Sequence, residues 1–134
     1  MIEGTSYLKE VEQLMVSLAH GNGLSPMGPI IEEQLASGGK RLRARLALSA
    51  MECFGGRAES AIPWAAACEF LHNATLIHDD IQDGDKVRRG KPTVWVLHGT
   101  PQAINAGDLM LMLPVSALNH LKTDSAIKWK LSLA

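Results

Sequence analysis

Leu71-His-Asn-Ala-Thr-Leu-Ile-His-Asp-Asp-Ile-Gln-Asp83 decides the reading of this chain. It opens as an apolar run with helical spacing and closes in acids. Gly84-Asp-Lys-Val-Arg88-Arg89-Gly-Lys-Pro92 then adds a basic cluster. On a helix, Asp79 and Asp83 stand at i and i+4, roughly 6 Å apart along the axis, with His72 near the same face about two turns earlier. Two carboxylates so placed repel, and no Lys or Arg lies at helical spacing inside the run to offset them. A cation between them removes the conflict. Oxygen-only ligands favour a hard ion, and Mg²⁺ is typically held by one or two carboxylates plus substrate phosphates. Arg88 and Arg89 offer guanidinium forks to the same phosphates. Alone, Asp-Asp-x-x-Asp is commonly a solvated helix end, and Arg-Arg-Gly-Lys a solvated turn. In this order and this close, they point to a diphosphate site.

A second basic segment lies upstream, at Gly38-Gly-Lys-Arg-Leu-Arg43. The glycines free the backbone to approach a ligand closely, and Lys40 and Arg43 share one helix face at i, i+3. Lys40, Arg41, Arg43 and Arg45 repel one another unless an anion or an acidic surface compensates. One attractive pair at about 4 Å is worth roughly 1 kcal/mol in bulk water and about 4 kcal/mol at an effective dielectric of 20. Several contacts to one diphosphate therefore outweigh the repulsion.

The rest of the composition narrows the class. The 134 residues carry a formal charge of −1, so the chain as a whole has no electrostatic bias toward nucleic acid. Apolar residues make up 46% and aromatics only 4%, leaving Leu, Ala, Met and Ile to build a helical core. Cys53 and Cys68 have no metal-ligand spacing and are too few for a disulfide scaffold. No signal peptide opens the chain, and no apolar run reaches the roughly 20 residues that cross a bilayer. A soluble, cytoplasmic protein is expected, with free thiols and no nucleic-acid partner.

Helices are expected throughout. The first spans 5–19, with Ser6 as cap and Leu8, Val11, Leu14, Met15 and Leu18 as its stripe. Ser25-Pro26 starts a second, which Gly38-Gly39 ends. A third runs from Lys40 to Phe54, with Leu42, Leu46, Leu48 and Met51 inward. Ser60 caps a fourth from Ile62 to Asp83. Residues 84–92 form a loop, and Thr93 to Leu97 suits a short helix or a strand. Thr100-Pro101 opens a helix to about Leu121 that Pro114 should kink or interrupt. Asp124 caps the last one. His78, about 100° from Asp79 around the axis, reads as structural.

The aspartate-rich segment resembles the first such motif of the trans-isoprenyl diphosphate synthases. Gly38-Gly-Lys-Arg-Leu-Arg43 is similar to that family's basic motif, and Ala103-Ile-Asn-Ala-Gly-Asp108 to the helix that follows. The likeness runs from about Gly38 to Leu113 in the family's order; Ala44 stands where the family often has proline. It implies an all-α, antiparallel helical bundle of the isoprenoid synthase type. Residues 1–134 would be the N-terminal part of one such domain, incomplete in this chain, because nothing after Asp108 resembles the family's second aspartate-rich motif.

The resemblance further implies a Mg²⁺-dependent prenyltransferase that condenses isopentenyl diphosphate with an allylic prenyl diphosphate. Asp79 and Asp83 would be the metal ligands and, with Arg88, the catalytic groups that grip the allylic diphosphate. Asp80 and Asp85 are secondary candidates for the metal shell. Lys40, Arg43, His72 and Arg89 would hold isopentenyl diphosphate. Ala74, with Thr75 and Leu71, would line the tunnel for the growing tail and leave room for products longer than farnesyl. Apolar surface at Leu113–Ala117 and Leu131–Leu133 suggests a homodimer. Two alternatives stand beside this reading: a noncatalytic diphosphate-binding subunit of a heteromeric synthase, and a terpene cyclase-like enzyme.

Overall fold

The computed structural model describes residues 7–23 and 25–134, so the Ser6 cap lies outside the described residues. Within them the fold is all-α. The helices are α1 (Leu8–His20), α2 (Gly28–Ala36), α3 (Leu42–Cys53), α4 (Ile62–Asp83), α5 (Val94–His98), α6 (Thr100–Leu118) and α7 (Ser125–Leu133). A short antiparallel hairpin, β1 (Val87–Arg88) and β2 (Lys91–Pro92), joins α4 to α5.

α4 is the axis of the bundle. Its 22 residues bury Ala65, Ala66 and Ala67 in succession. A helix buried on adjacent faces must have neighbours on several sides. α6 packs along it most extensively, and α3, α1 and α5 complete the ring. Gly107 of α6 meets the His78 ring of α4 at this seam, and both helices bury small residues: Ala66, Ala67 and Ala74 on one, Ala103 and Ala106 on the other. Helix separation follows the size of the side chains at the contact, so such a seam permits close approach. Phe70, Ile77, Met15, Ile31, Leu48 and Met110 fill the surrounding core.

Several expected boundaries move. Ser25 accepts a turn hydrogen bond from Gly28 N (3.2 Å), and α2 begins at Gly28 with Pro29 in its first turn. Ser60 sits in a 3₁₀ turn, Ala58–Ala61, and Ala61 precedes α4 without a side-chain cap. α3 starts at Leu42 because Arg41 adopts a left-handed conformation (φ 47°). Its buried face carries Ala44 and Leu48, whereas Leu42 (62% exposed) and Leu46 (72%) face outward, against the expectation. The small Ala44 lies against Glu69 of α4, which turns the two leucines away. α6 continues through a buried Pro114 without interruption. α5 settles the choice between helix and strand, and Asp124 does cap α7, accepting from Ile127 N at 2.9 Å.

Candidate functional site

α4 ends in its acids. Asp79 and Asp83 are exposed, one turn apart, and neither forms an ion pair among the described residues. Asp80 between them differs: it is 2% exposed, and its Oδ1 accepts from Arg88 Nη2 (2.7 Å) and Nε (2.9 Å). That burial and pairing argue against a metal-shell role for Asp80. The hydrogen bond to Asp80 raises the Arg88 pKa above its ordinary value, against a smaller opposing effect of burial. Arg88 thus stands beside the acids but is tied to one of them.

The loop expected at 84–92 is the hairpin, and its geometry places the arginines. Val87 pairs with Pro92 and Arg88 with Lys91, leaving Arg89 and Gly90 at the turn. Both have positive φ, 51° and 76°. Two-residue hairpins favour such turns because their twist matches that of the strands. Arg88 points back to α4, while Arg89 reaches the Gly38–Gly39 bend and donates to the Gly38 carbonyl. Gly39 has φ 137°, a backbone conformation that favours glycine, and the Arg89 guanidinium lies against it. Lys91 Nζ adds a bond to Ala36 O at 3.3 Å.

Lys40, Arg43, His72 and Arg89 line one cavity of about 480 Å³ between this bend, α3 and α4. The helical i, i+3 argument for Lys40 and Arg43 fails, since Lys40 precedes α3; the backbone turn at Gly38–Arg41 brings them together instead. His72 is pushed below its ordinary pKa, first by burial and then by Arg43, with Glu69 opposing. Arg41 also lines this cavity, but its guanidinium is committed to other partners. It is 9% exposed, donates to Glu12 Oε1 (2.8 Å) and to Leu35 O, and so ties α3 to α1 and α2.

On α4, two buried polar residues of the cavity, Glu69 and Asn73, were not among the expected site residues. Their signal is the polar pair at i, i+4 inside an apolar helical run. His78 faces α6, with Nε2 3.5 Å from Asp108 Oδ1 and its ring over Gly107, in keeping with a structural role. An apolar groove of about 580 Å³ shares Arg43 and His72 with the cavity and continues along Leu46, Ala50, Leu71 and Thr75. Ala74 is fully buried in the core, so it does not line this groove.

The two exposed carboxylates suit Mg²⁺. No group of three or more His, Cys, Asp or Glu gathers among the described residues. Mg²⁺ needs few protein ligands when phosphate and water complete its shell.

Residues 27–131 match the polyprenyl synthetase family model. A geranylgeranyl diphosphate synthase of Sulfolobus acidocaldarius is 48% identical over 96 residues, which cover 69% of this chain and 29% of that protein. A geranylgeranyl diphosphate synthase of Saccharolobus solfataricus is 52% identical over 84 residues, covering 63% and 25%. Among solved structures, a geranylgeranyl pyrophosphate synthetase from the archaeon Geoglobus acetivorans superposes with a TM-score of 0.85 at 33% identity, over 96% of this chain and 42% of that one. The chain spans less than a third of the length of the curated relatives it matches. No helix among the described residues is long and apolar enough to cross a membrane.

Proposed function

Because the chain belongs to the polyprenyl synthetase family, we propose that it supplies the diphosphate-binding part of a single isoprenoid synthase domain that condenses isopentenyl diphosphate with an allylic prenyl diphosphate. The observation that carries this reading is the meeting of Lys40, Arg43, His72 and Arg89 in one cavity, close along α4 to unpaired carboxylates. A cationic cavity and a separate pair of exposed carboxylates would suit two diphosphates, one at each. A cyclase has only one to hold, so the cationic cavity favours the synthase.

Asp79 and Asp83 would hold Mg²⁺. When bound, the metal supplies Lewis-acid and charge compensation for a departing diphosphate. Arg88, beside the acids, adds a fixed positive charge at the same end of α4. In the cavity, the guanidinium forks of Arg43 and Arg89 and the Lys40 ammonium grip the second diphosphate. They hold its double bond toward the allylic carbon. The groove along Leu46, Leu71 and Thr75 shelters the hydrocarbon tail and keeps water from the reacting carbon. A soluble homodimer completes the reading.

The test uses the complete gene product with both substrates and Mg²⁺. Asp79→Ala should lower kcat by about 100-fold or more, in the range for loss of a preorganised electrostatic group. Arg43→Ala should raise KM for isopentenyl diphosphate more than for the allylic partner. Normal turnover in the first variant, or equal losses in the second, would refute the division of the two sites.

A further inference from the structure

Among the described residues, Glu69 is the one acid lining the cationic cavity, and it is only 2% exposed. A carboxylate there would repel the diphosphate proposed for that cavity unless its charge were committed elsewhere. α3 shows where. The residue before α3, Arg41, has φ 47° and makes no side-chain cap; its guanidinium is turned away to Glu12 and the Leu35 carbonyl. The helix therefore begins without a local acceptor for its first amides, which carry the positive end of the helix dipole. Glu69 Oε1 reaches across from α4 and accepts from Ala44 N at 3.1 Å. Ala44 is the third residue of α3, immediately after Arg43. Along α4 the same residue is anchored by Asn73, whose Nδ2 donates to the Glu69 carbonyl at 2.8 Å. One turn from Glu69 stands His72, on the same cavity.

We propose that Glu69 is a positioning residue of the isopentenyl cavity: it caps α3 from the neighbouring helix and so holds Arg43 in register with His72. The assignment rests on the reading of the cavity given above. Glu69 does not touch the diphosphate. Its charge is offset by the helix end it caps, which is why an acid can stand among these cations without weakening them.

Glu69→Gln, Glu69→Ala and Arg43→Ala in the complete gene product separate the two claims. Calorimetric titration measures isopentenyl diphosphate in each variant, and a non-ionising allylic thiodiphosphate with Mg²⁺ in parallel. Hydrogen exchange follows the amides of residues 43–45. Glu69→Ala should weaken isopentenyl diphosphate about tenfold, the size of a lost cap. It should also speed exchange at Ala44 and leave the allylic analogue within about threefold. Gln keeps the acceptor and should restore both readouts to near the parent values. Parent-like binding in Glu69→Ala, equal loss of both ligands, or no rescue by Gln would overturn the assignment while Arg43→Ala still weakened isopentenyl diphosphate. Undiminished binding in Arg43→Ala would instead refute the cavity reading, and the role of Glu69 with it.

Discussion

Asp79 and Asp80 are adjacent in sequence and opposite in environment. Asp79 is exposed and unpaired, whereas Asp80 is buried against Arg88. Removing one member of a buried pair leaves the other charge uncompensated, at a cost of roughly 3 kcal/mol or more. Arg88→Ala should therefore destabilise the protein by about 3 kcal/mol in urea denaturation, a loss that an activity assay alone would misread as catalytic. His72 gives a pH signature. Its pKa lies below the ordinary 6.5, so the unfolded chain binds more protons near that pH. Stability from this group is present above about pH 6.5 and is lost as pH falls. A bound diphosphate reverses the preference by favouring the imidazolium. Proton uptake on binding isopentenyl diphosphate should grow as pH drops from 7 toward 6, read by calorimetry in buffers of different ionisation heat. His72→Gln should abolish that increment.

Among the elements, the helix spans were legible because Gly, Pro and polar residues punctuate an otherwise apolar pattern. α4 falls where its periodicity places it, and α6 starts where expected but ends at Leu118 instead of about Leu121. The start of α3 was not legible, since its acceptor, Glu69, is 25 residues away in sequence. Nor was the inward face of α3, where Ala44 and Leu48 take the core and leave the larger Leu42 and Leu46 for the cavity and groove. Acids and arginines could be read as one site from their order, but the partner of each could not. Helical spacing says nothing about a hairpin that folds Arg88 back eight residues onto Asp80. The same limit misplaced Ala74. With Ala74 in the core and Thr75 on the groove, Thr75→Phe should shorten the prenyl product, measured by chromatography of labelled chains. Ala74→Phe should instead overpack the core at about 1–3 kcal/mol, visible as a lower Tm.

At the scale of the molecule, the anticipated apolar surface is exposed in part: Val115 on α6 and Leu133 on α7 face outward, joined by Leu111, Met112 and Trp129, while Leu113 and Ala117 are buried. Exposed patches of this kind commonly mark an interface. A homodimer through α6 should appear as twice the monomer mass in sedimentation, and Met112→Glu should shift it toward monomer. A second consequence lies in the hairpin. Asp79 and Asp83 are built on the last turns of a long, well-packed helix, while Arg88 rides on a strand of two residues and Arg89 on the turn that follows it. Local opening is easiest where few buried contacts hold the backbone. The two sides of the site thus differ in compliance: the exposed acids stand on a firm anvil of packed helix, and the hairpin arginines stand on the backbone that opens more readily.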